Sequence, residues 1–261
     1  MSEFQGRTAS GLQGRTALVT GASRGIGQAT AVALAKAGVA HVIVHYGGHL
    51  AGAEETAAQV RAAGATAQII QGELGSTAGV TAFCDALKQL NAPIDILINN
   101  AGSLVKRARI LETTPELFDE VYTLNVKSAW FIAQAVVPGM IERKSGWIIN
   151  LSSIAARNGG GLGAALYASA KAAVACYTKG MAKELAPQGI QVNAVSPGTV
   201  DNHFHEVFST QAMLDTMKAS TPAGTLGTNE EIADTIVFLC SHAGRFIHGQ
   251  TIEINGGMFM V

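Results

Sequence analysis

The sequence predicts a doubly wound α/β domain, a parallel sheet with helices packed on both faces. Three observations predict it. Short apolar, β-branched runs alternate with alanine-rich amphipathic stretches, the order that builds right-handed strand–helix–strand crossovers. The apolar runs are mostly continuous, as expected for strands covered on both faces. The composition combines 30 glycines with 48% hydrophobic and 14% charged residues. That suits tight turns around a buried sheet; disorder needs low hydrophobicity and high charge. A chain of 261 residues is accommodated by one domain of this class.

The elements follow in chain order. Residues 1–13, MSEFQGRTASGLQ, are polar and aperiodic and are expected to form a flexible tail, with the domain running over 14–261. TALVT (16–20) is the first strand, followed by a glycine turn and a helix over 25–37. HVIVHY (41–46) and a helix over 50–63 come next, then TAQIIQ (66–71) and a helix over 76–90. IDILIN (94–99) precedes one long helix over 115–142, GWIINL (146–151) precedes a helix over 167–186, and IQVNAV (190–195) is the sixth strand. A helix over 229–240 and the strand QTIEI (250–254) complete a seven-stranded sheet. Residues 199–228 break the alternation and contain Pro222, Gly224 and Gly227. A connection this long in a compact domain suggests a substrate lid, with FHEVF and AMLDTMK as short helices.

Several function classes are excluded at this level. A net charge of −1 gives no electrostatic footprint for nucleic acid or an anionic membrane. Cys84, Cys176 and Cys240 are widely spaced and odd in number, so they form neither a zinc pattern nor a disulfide framework. A reduced, cytoplasmic protein is expected. No uncharged apolar run reaches the ~18 residues of a membrane span, and the N-terminus lacks the apolar core of a signal peptide.

Three motifs carry chemistry. The first strand runs into Gly21-Ala-Ser-Arg-Gly25-Ile-Gly27 and a helix. Glycines there permit a tight turn and let backbone N–H groups approach a pyrophosphate at the helix N-terminus; the alternative is a turn needing positive φ. The fourth strand ends in Asn99-Asn100-Ala101-Gly102, at the sheet edge where open α/β folds bind ligands, or in an ordinary turn. Tyr167 and Lys171 stand four residues apart on a helix, hence on one face. An ammonium beside a phenol lowers the phenol pKa and suits it to general acid–base work.

Taken together, Thr20-Gly-x-x-x-Gly-x-Gly27, Asn99-Asn-Ala-Gly102, Asn125, Ser153, Tyr167-x-x-x-Lys171 and Ser196-Pro-Gly198 occur in one order at strand ends and helix starts. The chain thereby resembles the classical short-chain dehydrogenase/reductase family from Gly14 to Val261. The resemblance implies an enzyme that moves hydride between a nicotinamide and a carbonyl or secondary alcohol. It implies that Tyr167 is the proton donor, that Lys171 lowers its pKa and holds the nicotinamide ribose, that Ser153 polarises the carbonyl, and that Asn125 holds a relay water. Ser152 is a weaker alternative to Ser153. Cofactor contacts are expected from Gly21, Ser23, Arg24, Gly25, Ile26, Gly27, Tyr46, Glu73, Leu74, Asn99, Ala101, Gly102, Tyr167, Lys171, Pro197, Gly198, Thr199 and Val200.

Two departures from the family pattern stand out. The Ser153–Tyr167 spacing is one residue long, through Asn158-Gly-Gly-Gly-Leu-Gly163, and the acidic residue after the third strand is Glu73 followed by Leu74. The second strand ends His45-Tyr46-Gly47-Gly48, without the carboxylate that NAD enzymes place on the ribose hydroxyls. Arg24 is suited to a 2′-phosphate, with His45 or His49 assisting, so NADP(H) is favoured over NAD(H). HVIVHYGG and the next helix resemble 3-oxoacyl-acyl-carrier-protein reductases. Lys106, Arg107 and Arg109 would then face an acidic carrier, or form a solvated cluster. A sugar or polyol dehydrogenase is the alternative, with Asn158, His203 and His205 as polar pocket groups. A non-catalytic dinucleotide-binding regulator is a second alternative, which predicts a damaged Tyr/Lys/Ser set. His203, His205 and Glu206 are read as a polar lid and not as a metal site. Long helices apolar on much of their circumference point to self-association; the resemblance implies a homotetramer, with the last strand and Met258-Phe259-Met260-Val261 forming a second contact.

Overall fold

The computed structural model describes residues 11–90 and 92–260; most of the expected tail, and Val261, lie outside them. The strands are β1 (Thr16–Val19), β2 (His41–Tyr46), β3 (Thr66–Gln71), β4 (Ile96–Asn99), β5 (Gly146–Leu151), β6 (Ile190–Pro197) and β7 (Thr251–Ile254). They form one sheet in the order β3-β2-β1-β4-β5-β6-β7, and every adjacent pair is parallel. The chain winds outward from β1 in one direction and from β4 in the other. Their junction is the switch point where the C-terminal strand ends open a crevice.

Alternation along the central strands divides the core. Ala17, Val19, Ile96 and Ile98 join one apolar cluster, whereas Leu18, Leu97 and Ile148 join another. Helices α1 (Gly25–Lys36), α2 (Leu50–Ala62) and α10 (Asn229–Cys240) contribute Leu34, Val60 and Ile236 to the first cluster. Helices α3 (Thr77–Gln89), α5 (Ser128–Arg143) and α7 (Ala165–Leu185) contribute Phe83, Ile132 and Met181 to the second. The central strands are therefore covered on both faces, as their continuous apolar sequences require.

The long helix expected over 115–142 is broken. Helix α4 (Pro115–Tyr122) ends in a π-helical turn, Thr123–Lys127, before α5 begins. Asn125 explains the widening: its Nδ2 donates to the Val121 carbonyl one turn back at 2.9 Å and to the Ser103 carbonyl at 2.8 Å. Such π-bulges concentrate at functional sites.

Residues 153–164 take up the extra spacing before Tyr167. The short helix α6 (Ala155–Asn158) ends at Gly159, and Gly159, Gly160 and Gly163 all have positive φ, which glycine adopts freely. Residues 199–228 contain α8 (His203–Phe208) and α9 (Gln211–Ser220). Their two ends are stitched together: Gly227 N donates to Thr199 O at 3.0 Å, and Asp201 N to Gly227 O at 2.9 Å.

Candidate active site

A cleft of about 800 Å³ opens beyond the C-terminal ends of the central strands. One side is the turn from β1 into α1. There Gly21, Ser23, Arg24, Gly25 and Ile26 line the wall, together with Asn100, Ala101 and Gly102 from the end of β4. Arg24 is exposed, with extended backbone at the N-cap of α1 and no side-chain capping bond. Close approach explains the glycines: a Cβ at Gly27 would collide with the Gly21 carbonyl oxygen, and one at Gly21 would meet Ala101 Cα at 2.9 Å.

The opposite side holds the polar set. Ser153, Tyr167, Lys171, Pro197, Gly198, Thr199 and Val200 line the cleft. Ser153 hydrogen-bonds the Tyr167 phenol despite the longer spacing. Ser152 is committed elsewhere, its hydroxyl donating to the Lys171 carbonyl at 3.0 Å. Lys171 is buried and its Nζ donates to the Leu151 carbonyl at 2.8 Å. Lys171 Nζ and Asn125 Oδ1 converge on Gly102, where an added Cβ would lie 2.9 and 2.7 Å from them. Asn125 Oδ1 is buried and has no hydrogen-bond partner among the described residues.

The electrostatics correct one expectation. Burial pushes the Tyr167 phenol up to about 12, opposed only by the Ser153 hydrogen bond, and pushes Lys171 down to about 8. Lys171 Nζ stands 5.6 Å from the Tyr167 ring centroid, and it is burial that sets the direction of the phenol's shift. At neutral pH the phenol therefore carries its proton and the lysine its charge.

Five expected cofactor residues do not line this cleft, among them Gly27, which is buried in the first turn of α1 against the Gly21 carbonyl. Tyr46 is buried in the core, Leu74 is buried against Phe83 and its neighbours, and Glu73 is exposed with its carboxylate accepting from Gly75 N. Asn99 is buried, its Nδ2 donating to Asn150 Oδ1 at 2.9 Å and to the Ala129 carbonyl. The neighbouring Asn100, which sequence reasoning passed over, lines the cleft instead and donates to the carbonyls of Thr20 and Gly21.

His45 also departs from its expected place beside a phosphate. It is 2% exposed. Its Nδ1 accepts the Gly21 N–H at 3.0 Å, which leaves the proton on Nε2, facing the Gly72 carbonyl at 3.0 Å. Burial pushes its pKa down from 6.5 to about 4, against the opposing Gly72 carbonyl and Glu73. The unfolded chain takes up this proton as pH falls through 6.5, and the folded chain only near 4, so the unfolded state gains across that window. Stability is expected to drop by about 3 kcal/mol on this account between pH 6.5 and 4. Urea midpoints across that range should fall less steeply in His45→Asn; an identical slope would contradict the assignment.

Residues 199–228 close the remaining wall with Phe204, Val207, Phe208 and Met217, joined by Leu104 and Met258. The Phe204 ring lies 5.8 Å from that of Tyr167 and 5.0 Å from that of Phe208. Of the polar candidates, Asn158, His203 and His205 also line the cleft. His203 Nδ1 pairs with Glu206 at 2.9 Å and His205 Nδ1 with Ser209 at 2.9 Å. Arg107 donates to the carbonyls of Phe208 and Leu162 at 2.9 and 2.8 Å, while Lys106 and Arg109 are exposed.

A glycine turn at the switch point and a Ser–Tyr–Lys–Asn set across from it define a nicotinamide-dependent oxidoreductase. A family model described as enoyl-(acyl carrier protein) reductase matches residues 21–259. The chain belongs to the short-chain dehydrogenase/reductase family and is an oxidoreductase acting on carbonyl and alcohol groups. It is 36% identical over 246 residues to a 3-oxoacyl-(acyl-carrier-protein) reductase of Staphylococcus aureus, covering 94% of this chain and 98% of that one. It resembles the structure of a gluconate 5-dehydrogenase from Burkholderia cenocepacia in complex with NADP and tartrate, with TM-score 0.85 and 34% identity, over 95% of this chain and 96% of that one. It also resembles a 3-oxoacyl (acyl-carrier-protein) reductase from Agrobacterium tumefaciens with NADP bound, with TM-score 0.88 and 31% identity, over 98% of this chain and all of that one. Among the described residues no helix is long and apolar enough to cross a membrane.

Proposed function

We propose that the chain is an NADP(H)-dependent ketoreductase acting on 3-oxoacyl-thioester-like ketones. The observation that carries this reading is the single cleft joining Ser153, Tyr167 and Lys171 to the α1 N-terminus, Arg24 and an apolar outer wall. The residues present fit a dinucleotide: the glycine turn leaves a cradle that a Cβ would fill, and Asn125 Oδ1 has no partner among the described residues. The N–H groups at the start of α1 hold the pyrophosphate, and Arg24 holds the 2′-phosphate. Bound there, the nicotinamide supplies the hydride.

The remaining chemistry belongs to the chain. Ser153 donates a hydrogen bond to the substrate carbonyl oxygen. Tyr167 transfers its proton to the developing alkoxide. The Lys171 ammonium stabilises the phenolate that results and orients the ribose hydroxyls. Asn125 Oδ1 accepts from a water through which Lys171 regains contact with solvent. Residues 199–228 act as the lid, and Phe204, Val207, Phe208 and Met217 receive an apolar substrate chain.

Likeness to a gluconate 5-dehydrogenase and the presence of Asn158, His203 and His205 in the cleft favour a second reading, a sugar or polyol dehydrogenase. The apolar wall, and the local hydrogen bonds of both histidines, favour the first. Oxidation of NADPH against 3-oxoacyl thioesters on a carrier protein, the same acyl groups on coenzyme A, and 5-ketogluconate separates them. Turnover of the thioesters with far higher kcat/KM is expected; preferential turnover of the keto sugar would reverse the assignment.

We further propose a homotetramer. Trp130, Phe131 and Ile141 on α5 and Phe118 on α4 are exposed large apolar groups, and such patches mark interfaces. Light scattering at micromolar concentration should give about four times the 26.9 kDa chain mass. A monomer would reject the proposal, and a dimer would remove the second interface.

A further inference from the structure

The turn between β1 and α1 is fixed by few side chains. Asn100 Nδ2 grips the carbonyls of Thr20 and Gly21 at 2.9 and 3.0 Å. Thr56 Oγ1 donates to the Ala22 carbonyl at 2.8 Å. The Gly21 N–H, however, points away from the cleft into the end of the sheet, where His45 Nδ1 receives it at 3.0 Å. The imidazole is clamped from its other side by the Gly72 carbonyl and lies edge-on to Phe83, ring centroids 4.5 Å apart. The fit is tight: a Cβ at Gly72 would stand 2.5 Å from Phe83 Cδ2 and 3.1 Å from His45 Nε2.

We propose that His45 is a positioning residue for the cofactor, acting through Nδ1 as the acceptor that sets the orientation of the Thr20–Gly21 peptide. The proposal rests on the cofactor site described above. A backbone N–H enclosed without a partner is strongly disfavoured. The Thr20–Gly21 peptide can relieve this by turning, which draws the Thr20 carbonyl off Asn100 Nδ2. The Gly21 carbonyl, held by the same amide, packs directly beneath Gly27. A shift there is passed to the first turn of α1, whose N–H groups face the cleft. His45 thus influences dinucleotide binding from behind the loop, without touching the ligand.

Two substitutions separate this role from a purely structural one. In His45→Asn the amide oxygen takes the place of Nδ1 and the bond to Gly72 is lost. In His45→Gln the amide nitrogen reaches towards Gly72 and no acceptor remains for Gly21. Each removes one hydrogen bond, so a structural role lowers both melting temperatures and weakens NADPH binding in step with them. The positioning role separates binding from stability. Fluorescence titration of the full chain should give the Asn variant an NADPH Kd within about threefold of the parent, and the Gln variant a Kd raised about tenfold or more. Equal Kd changes in the two variants, or Kd values that simply follow the melting temperatures, would overturn the proposal. Should the Gln variant fail to fold, nitrogen NMR of the His45 ring in the parent decides: protonation at Nε2 is expected, and protonation at Nδ1 overturns it. A parent that binds no dinucleotide overturns the reading of the cleft itself, a result distinguishable from either of these.

Discussion

Tyr167→Phe is expected to fold, to bind NADPH as tightly as the parent, and to lose about 10²–10⁴-fold in kcat for carbonyl reduction. The substitution removes one oxygen. The ring still packs beside Phe204, 5.8 Å away, and the Lys171–Leu151 and Ser152–Lys171 hydrogen bonds do not involve the phenol. What disappears is the proton that the alkoxide must receive, together with the partner of Ser153. Because burial holds the phenol near 12 and Lys171 near 8, the phenol is a loaded acid throughout the neutral range. Rapid-quench rates with a substrate for which chemistry limits turnover provide the check. A variant retaining most of its rate would remove Tyr167 from the mechanism.

Arg24→Ala is expected to weaken NADPH by about tenfold to a hundredfold, the worth of a charge-assisted contact of about 1.5–3 kcal/mol, and to leave NADH nearly unchanged. Arg24 is exposed on the cleft wall at the mouth of α1, with no ion pair among the described residues. No carboxylate stands at the end of β2 to favour an unphosphorylated ribose; that place is taken by Tyr46, buried in the core. Parallel fluorescence titrations with both cofactors read the difference. Equal losses for the two would assign Arg24 to the pyrophosphate or to the fold.

Much of this was legible in the sequence. The strands at 41–46 and 146–151 fall where their β-branched runs place them, because a strand buried on both faces must be apolar throughout; the strand at 66–71 is also found in place, at the sheet edge with half its residues exposed. β6 runs on to Pro197 because Ser196 and Pro197 still have partners, Glu253 and Ile254 of β7, which the local pattern does not reveal. The break in the 115–142 helix was hidden for a similar reason. It depends on Asn125 reaching Ser103, 22 residues earlier in the chain.

Within the site, Ser153, Tyr167, Lys171 and the glycine turn were readable because their order and spacing are informative. Asn99 and His45 were misplaced because sequence gives the end of a strand but not which way a side chain turns there. Asn99 turns into the layer holding Asn150, and His45 into the gap between Gly21 and Gly72. Nor does composition reveal that burial sets the direction of the Tyr167 pKa shift. The aromatic line from Tyr167 to Phe204 and Phe208 exists only because residues 199–228 fold back over the cleft.

The most direct test of the central claim follows the hydrogen atoms. NADPH deuterated at the transferable position of the nicotinamide is incubated with the protein and a 3-oxoacyl thioester, and the alcohol product is analysed by mass spectrometry. The account predicts one deuterium on the carbinol carbon of the parent's product, and a rate that collapses in Tyr167→Phe. An alcohol without deuterium, or no alcohol although NADPH binds, would contradict it.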